Sequence, residues 1–213
     1  MSFNKIDEIR EDFEKSKIDF TNLPDSPMDL FSNWFSQALD ADKDNAISFV
    51  LSTVSQENIP SSRVLLMRKV DENGFTFFTN YDSSKSKDIE NNHFVSINFF
   101  WNKLEKQIRI IGKAIKVPAE DSDTYFNSRP ENSKIGAVIS NQSSIIDFNL
   151  DFEELISELD LEKQAIERPK NWGGYKVIPT KIEFWQGRPS RLHDRVLYVK
   201  TDENNWKKER LAP

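Results

Sequence analysis

The stretch EFWQGRPSRLHDR, Glu183 to Arg195, carries three arginines and one of the two histidines of the chain. If RLHDR continues the apolar strand before it, Arg191, His193 and Arg195 fall at i, i+2 and i+4. They then share one face, about 7 Å between neighbours, with Leu192 and Asp194 on the other. A helix would spread the three around its circumference. Such a face repels itself unless something anionic or electron-rich lies against it, and each charge-assisted hydrogen bond to such a partner contributes about 1.5–3 kcal/mol. The competing reading pairs these arginines with carboxylates such as Glu183 and Asp194. Three groups in register beside Trp185 favour a ligand.

Three further places suit an anion. SSRVLLMRKV sets Arg63 and Arg68 at the ends of an apolar run. In one regular strand their odd separation sends them to opposite faces, where they serve different groups. TNYDSSKSKD follows a strand and opens a helix, so backbone N–H groups with Thr79, Ser83, Ser84 and Lys85 suit a phosphate. An ordinary Ser/Asp helix cap explains it equally well. YFNSRPENSKIGAVISNQSS places Tyr125, Arg129 and Ser133 at four-residue spacing, then Gln142 and Ser143. Pro130 disfavours helix at Arg129, leaving a hydroxyl, a guanidinium and a hydroxyl at a helix break. That is a plausible phosphate pocket, and a polar helix–loop–helix surface is the alternative. The glycines of a Walker or Rossmann loop are missing. Candidate anion sites outnumber the needs of one phosphate; two phosphorylated ligands would explain the surplus.

The elements that must position these groups read as strands with helices between them. SPMDLFSNWFSQALDA (26–41) is a capped amphipathic helix with Leu30, Phe31, Trp34, Phe35, Ala38 and Leu39 on one face. Residues 46–55, 61–70 and 74–80 are β-branched or aromatic runs, the last two joined by the turn DENG. HFVSINFFW and KQIRIIGKAIKV flank 102–105 as another hairpin. Helices return in PAEDSDTYFNSR and at 151–167, and GYKVIP, KIEFWQG and RVLYVK close the chain as strands. With hairpins dominant and no βαβ alternation, the expected class is mostly β with peripheral α-helices, an antiparallel barrel or sheet.

Composition narrows the chemistry. The 213 residues allow one sizeable domain over 1–213, with 1–25 expected to be a mobile N-terminal segment. A net charge of −6 argues against broad nucleic-acid or membrane-surface binding, so cations must be concentrated locally. No cysteine is present, which removes thiolate catalysis and Cys-ligated metals. Two histidines a hundred residues apart make a His-rich metal site improbable, so no metal is expected. The charged N-terminus and the lack of a long apolar run lead to the expectation of a soluble cytoplasmic protein.

The chain resembles the pyridoxamine 5'-phosphate oxidase family. EFWQGRPSRLHDR is similar to its C-terminal signature, followed by a terminal ERLAP. NWGGYKVIP, YFNSRP, IGAVISNQSS, FFTN and KQIRIIG correspond in family order, covering nearly everything from Pro24 onward. The resemblance implies an FMN-binding split β-barrel, a homodimer with flavin at the subunit interface. It further implies oxidation of pyridoxamine or pyridoxine 5'-phosphate to pyridoxal 5'-phosphate, with O2 giving hydrogen peroxide.

By that resemblance the flavin site includes Arg63, Val64, Leu65, Leu66, Met67 and Arg68, then Phe78 and Thr79. Ser84, Lys85, Gln107, Gln142, Ser143, Trp185 and Arg195 complete it, some from the second subunit. The substrate phosphate meets Tyr125, Arg129, Ser133 and Arg68. Arg191, Leu192 and His193 hold the pyridine ring, and Arg191 and His193 are the catalytic pair. Three departures stand out. Arg68 replaces a usual Lys, Ser84 stands where a basic residue is common, and only Arg10 remains of the Arg-Arg-x-Tyr lid pattern expected to touch substrate. Fold-level likeness also admits a non-catalytic FMN or pyridoxal phosphate binder, or a flavin enzyme with another substrate.

Overall fold

The computed structural model describes residues 12–158, 166–203 and 205–213. Helix α1 (Pro27–Ala41) opens as the sequence predicts: Ser26 is the N-cap, its Oγ accepting from the Met28 N–H at 3.2 Å, and Pro27 takes the first turn. It buries Leu30, Phe31, Trp34 and Ala38. A short helix α2 (Lys43–Ala46) follows, then strands β1 (Ser48–Val54), β2 (Pro60–Leu66), β3 (Lys69–Asp71) and β4 (Gly74–Asn80). Helix α3 (Ser84–Asn91) leads to β5 (Phe94–Trp101) and β6 (Lys106–Lys116), joined through a 3-10 turn at Asn102–Leu104 with Glu105 at φ 54°. Helices α4 (Ala119–Asn127), α5 (Glu131–Ile139) and α6 (Phe152–Glu158) precede β7 (Trp172–Gln186), β8 (Asp194–Lys200) and β9 (Trp206–Arg210). The second half of the helix expected over 151–167 lies largely outside the described residues.

The strand order is β2-β1-β5-β6-β7-β4-β3, with β8 on β7 and β9 on β8; the β3–β4, β4–β7, β7–β8 and β8–β9 pairs are antiparallel. Two expectations are corrected here and one strand is added. SSRVLLMRKV is two strands, because β2 pairs with β1 while β3 pairs with β4 at the other end of the order. The chain must therefore turn out at Met67–Arg68, a break that a continuous apolar run conceals. GYKVIP and KIEFWQG are instead one strand. Pro179 falls between the register with β4, which ends at Val177, and that with β8, which begins at Lys181, so its missing N–H interrupts neither ladder. Strand β9 was not anticipated.

The chain forms two compact units. One comprises the residues up to Leu51 with Ser96–Ile111 and Pro179–Pro213. Its core sets Phe31 of α1 against Phe99 (5.6 Å between centroids) and Trp34 against Phe184 (5.3 Å). From Asp12 the chain lies on this unit: Phe13 packs edge-on to Trp185, and Ile18 is buried. The other unit comprises Ser52–Val95 and Gly112–Ile178, with Phe77 and Tyr175 buried at 5.8 Å. Its β3–β4 hairpin needs Gly74, whose φ is +148° and whose added Cβ would collide with the Val177 carbonyl oxygen.

Candidate active site

In the second unit, the registers of β4 and β7 bring Phe78 opposite Gly174 and Asn80 opposite Trp172. Phe78 stacks on Tyr125 at 4.0 Å and on Trp172 at 5.6 Å, giving three nearly parallel rings. Gly174 permits this, since a Cβ there would meet the Phe78 ring at 2.8 Å. Helix α4 ends at Asn127 and α5 restarts at Glu131, so Arg129 sits in the break that Pro130 enforces. Its guanidinium lies 4.6 Å from the Trp172 ring. Among the described residues its buried Nη1 has no hydrogen-bond partner. Burial pushes the Arg129 guanidinium below its usual range; neighbouring Tyr125 opposes that shift and Arg68 adds to it.

These groups line one cavity of about 830 Å³. Ten of the sequence-predicted site residues meet there: Val64, Leu65, Leu66, Arg68, Phe78, Thr79, Tyr125, Arg129, Ser133 and Gln142. Arg68 lies 6.0 Å over the Tyr125 ring. A second cluster joins the cavity through Thr79 and Gln142. The buried Lys85 Nζ donates to Gln142 Oε1 (2.8 Å), Ser83 Oγ (2.9 Å) and Thr79 Oγ1 (3.1 Å), all neutral oxygens. Desolvation, with a smaller contribution from Arg63, brings its pKa down to about 8. Ser83 is the N-cap of α3 but its side chain does not cap; the hydroxyl donates to the Asn80 carbonyl at 2.7 Å. The side-chain cap weighed as an alternative for this stretch is therefore absent.

Arg63 stands behind these residues. Its Nη1 donates to Thr53 Oγ1 (2.8 Å) and its Nη2 to Ser61 Oγ (2.5 Å). Thr53 Oγ1 in turn donates to Asp88 Oδ2 at 2.6 Å. Met67 is buried. Ser84 and Ser143 are exposed, the latter at φ 74°.

The first unit carries the remaining predicted residues. Trp185 lies 4.6 Å from the His193 ring, and Phe13 is edge-on to both. The Arg188 backbone N–H donates to His193 Nδ1 at 3.2 Å, which places the proton of the neutral imidazole on Nε2. Desolvation, then Arg191 and Arg195, lower the His193 pKa and favour that neutral form. Gln107 donates to Asn98 Oδ1 at 2.7 Å. Arg195 is fixed on the buried carboxylate of Glu183 through Nε (2.9 Å) and Nη2 (2.8 Å).

The extended reading of RLHDR is corrected. Strand β8 begins only at Asp194, and Pro189–Arg191 is a 3-10 turn closed by the Leu192 N–H on the Pro189 carbonyl (3.1 Å). Ser190 and Arg191 both take positive φ, 56° and 60°, so Arg191, His193 and Arg195 do not form one strand face. Arg191 and Leu192 are exposed. The carboxylate pairing weighed against a ligand is also present, since Arg195 pairs with Glu183 and Arg188 approaches Asp194 at 3.6 Å. Arg10 lies outside the described residues. Sequence reasoning missed Trp172 as the platform for Arg129, and Thr53, Ser61 and Asp88 as supports for Arg63. Trp172 stands in the quoted NWGGYKVIP, where its type was a signal; the supports are ordinary surface residue types with none.

A family model described as pyridoxamine 5'-phosphate oxidase matches residues 35–160. One described as the pyridoxine 5'-phosphate oxidase C-terminal dimerisation region matches 172–213. The chain belongs to the pyridoxamine 5'-phosphate oxidase family. A pyridoxine/pyridoxamine 5'-phosphate oxidase of Paraburkholderia phytofirmans is 43% identical over 97% of this chain and 98% of its own length. The crystal structure of PhzG from Burkholderia lata, in complex with tetrahydrophenazine-1-carboxylic acid, is 26% identical. It superposes with a TM-score of 0.83 over 93% of this chain and all of that one. A related FMN-binding protein from Nostoc punctiforme shares the fold, with TM-score 0.68 and 17% identity over 86% of this chain and 97% of that one. The pyridoxamine 5'-phosphate oxidase family is one of oxidoreductases on a split β-barrel, as expected for this chain.

Family membership implies a flavin, and the donor set fits one. A buried lysine on neutral oxygens accommodates a phosphate, and the exposed Val64 and Leu66 give the cavity an apolar flank. Among the described residues no cluster of His, Asp or Glu could hold a metal, and no helix is long and apolar enough to cross a membrane.

Proposed function

We propose that the protein oxidises pyridoxamine 5'-phosphate and pyridoxine 5'-phosphate to pyridoxal 5'-phosphate with FMN as cofactor. O2 is reduced to hydrogen peroxide, and the amine substrate also takes up water and releases ammonia. The role is vitamin B6 biosynthesis and salvage, and the active form is a homodimer, consistent with the matched dimerisation region. The observation that carries this reading is Arg129, which lines a cavity with Arg68, Tyr125 and Ser133 and whose buried Nη1 has no hydrogen-bond partner among the described residues. A desolvated guanidinium without an anion is costly, and a phosphate supplies what it lacks.

Bound FMN would supply the redox chemistry, taking hydrogen from the substrate and passing electrons to O2. Lys85, Thr79, Gln142 and Arg63 hold the flavin, with residues 64–68, Phe78, Ser84, Gln107, Ser143, Trp185 and Arg195 as further contacts, some of them supplied by the second subunit. Arg129, Tyr125, Ser133 and Arg68 hold the substrate phosphate. His193 offers its Nε2–H to the substrate ring, and the exposed Arg191 adds positive charge beside it.

The test is an anaerobic half-reaction on FMN-loaded protein mixed with pyridoxamine 5'-phosphate. The visible flavin band should bleach, return on admitting air, and remain with unphosphorylated pyridoxamine at the same concentration. A flavin that binds yet stays oxidised with both phosphorylated substrates would overturn the oxidase reading in favour of a binding protein.

A further inference from the structure

Glu183 is a buried carboxylate shared by two arginines. Its Oε1 accepts from Arg195 Nε at 2.9 Å and lies 2.8 Å from Arg195 Nη2. Its Oε2 accepts from Arg109 Nη1 at 3.1 Å. Leu211 and Ala212 close the other side of Arg195. Its Nη1 donates to the Ala212 carbonyl at 2.8 Å, and the Leu211 N–H donates to the Arg195 carbonyl at 3.1 Å. A guanidinium has five N–H donors in a rigid plane. Two of them are hydrogen-bonded, Nε–H to Glu183 and one Nη1–H to Ala212, and the Nη2 group is held against Glu183 as an ion pair, so Glu183 and Ala212 set the plane in which the remaining donors point.

We infer that Glu183 and the Ala212 carbonyl are positioning groups that aim the remaining N–H donors of Arg195 at the flavin. This rests on the flavin reading above. Without Glu183, Arg195 and Arg109 would be neighbouring cations with no carboxylate between them, and a freely rotating Arg195 must be re-ordered when cofactor binds. Leu211 and Ala212 thereby acquire a role: they form one jaw of a clamp on a cofactor ligand. Arg109 holds the carboxylate from the far side. It lies on β6 with more than half of its side chain exposed, so its share is the orientation of Glu183.

The experiment is titration of full-length apoprotein with FMN, read by quenching of flavin fluorescence, on Glu183→Ala, Glu183→Gln, Arg195→Ala and the double variant Glu183→Ala/Arg195→Ala. A chain ending at Leu211 is titrated beside them, and a melting curve of each apoprotein reports folding. Glu183→Ala should weaken FMN about tenfold, the equivalent of one charge-assisted hydrogen bond. Glu183→Gln, which keeps an acceptor, should recover part of that loss, and the truncated chain should lose severalfold. The double variant should bind no more weakly than Arg195→Ala alone, because Glu183 acts through Arg195; a purely structural carboxylate would give losses that multiply. Wild-type affinity in Glu183→Ala and in the truncated chain, or multiplying losses, overturns the proposal. So does wild-type affinity in Arg195→Ala, which leaves the oxidase reading to stand on the anaerobic bleaching. If the wild type itself does not bind FMN, the functional reading fails and the clamp falls with it. Should Glu183→Ala not fold, Glu183→Gln and the truncated chain decide.

Discussion

Replacing Arg129 with Met separates a ligand-holding role from a packing role. Met retains a flexible apolar stem against Phe126 and Trp172 while removing the charge. In the apoprotein the change loses cation–π contacts to Phe126 and Trp172, together worth about 0.5–2 kcal/mol. It also relieves a buried N–H donor without a partner, whose desolvation costs about 1–3 kcal/mol. The two offset, so apoprotein stability should change by no more than about 1 kcal/mol, or a melting shift within about 4 °C for a chain of this size. Substrate binding should suffer much more. One charge-assisted contact to phosphate is worth about 1.5–3 kcal/mol, a rise of roughly 10- to 150-fold in the KM for pyridoxamine 5'-phosphate. Steady-state kinetics and a melting curve on one preparation give both numbers. A fall of more than about 10 °C with KM unchanged would refute the reasoning, because Arg129 would then be holding the rings together rather than awaiting an anion.

Lys85 gives a pH signature. Its pKa is lowered from 10.5 to about 8, so in the free protein the charge is present below pH 8 and lost as pH rises through that value. FMN affinity should therefore fall between pH 7 and 9.5, where the flavin phosphate is already a dianion, by up to about tenfold per unit above 8. Lys85→Met should bind weakly with no such slope, and a slope that persists would assign the titration elsewhere. Gly74→Ala should destabilise the fold by more than about 2 kcal/mol, seen as a lower urea midpoint. The added Cβ would meet the Val177 carbonyl and the φ of +148° disfavours any other L-residue. An unchanged midpoint would mean that the hairpin re-forms around it.

Much of the architecture was legible because local signals and tertiary demand coincide. Helix α1 carries its own cap and a single apolar face, and β4 is the aromatic run it appears to be. The break at Arg129 was legible because Pro130 acts on the residue before it whatever surrounds them. Errors arose where the chain obeys a partner distant in sequence. Residues 61–70 look continuous, yet β2 and β3 answer to opposite ends of the strand order. Pro179 looks like a terminator, yet it falls in a gap between two ladders. The turn at Pro189–Arg191 depends on two positive φ values at Ser and Arg, types that give no warning of them.

The site was legible as a surplus of cations but not in how they are divided. The chain is acidic, with 35 Asp and Glu against 29 Lys and Arg, so every cation could in principle be neutralised. Structure sorts them. Arg195 rests on Glu183, and Arg63 reaches Asp88 through Thr53 and Ser61, so these two are oriented by carboxylates. Lys85 is instead buried on neutral oxygens and the half-buried Arg129 lies on aromatic faces, and both have pKa values pushed down by desolvation. Charges of the first kind are aimed before a ligand arrives. Those of the second kind rest on neutral groups, and on the proposed function a doubly charged phosphate would supply the opposite charge. The proposed pair of ligands, a phosphate-carrying cofactor and a phosphate-carrying substrate, would use both kinds on one chain.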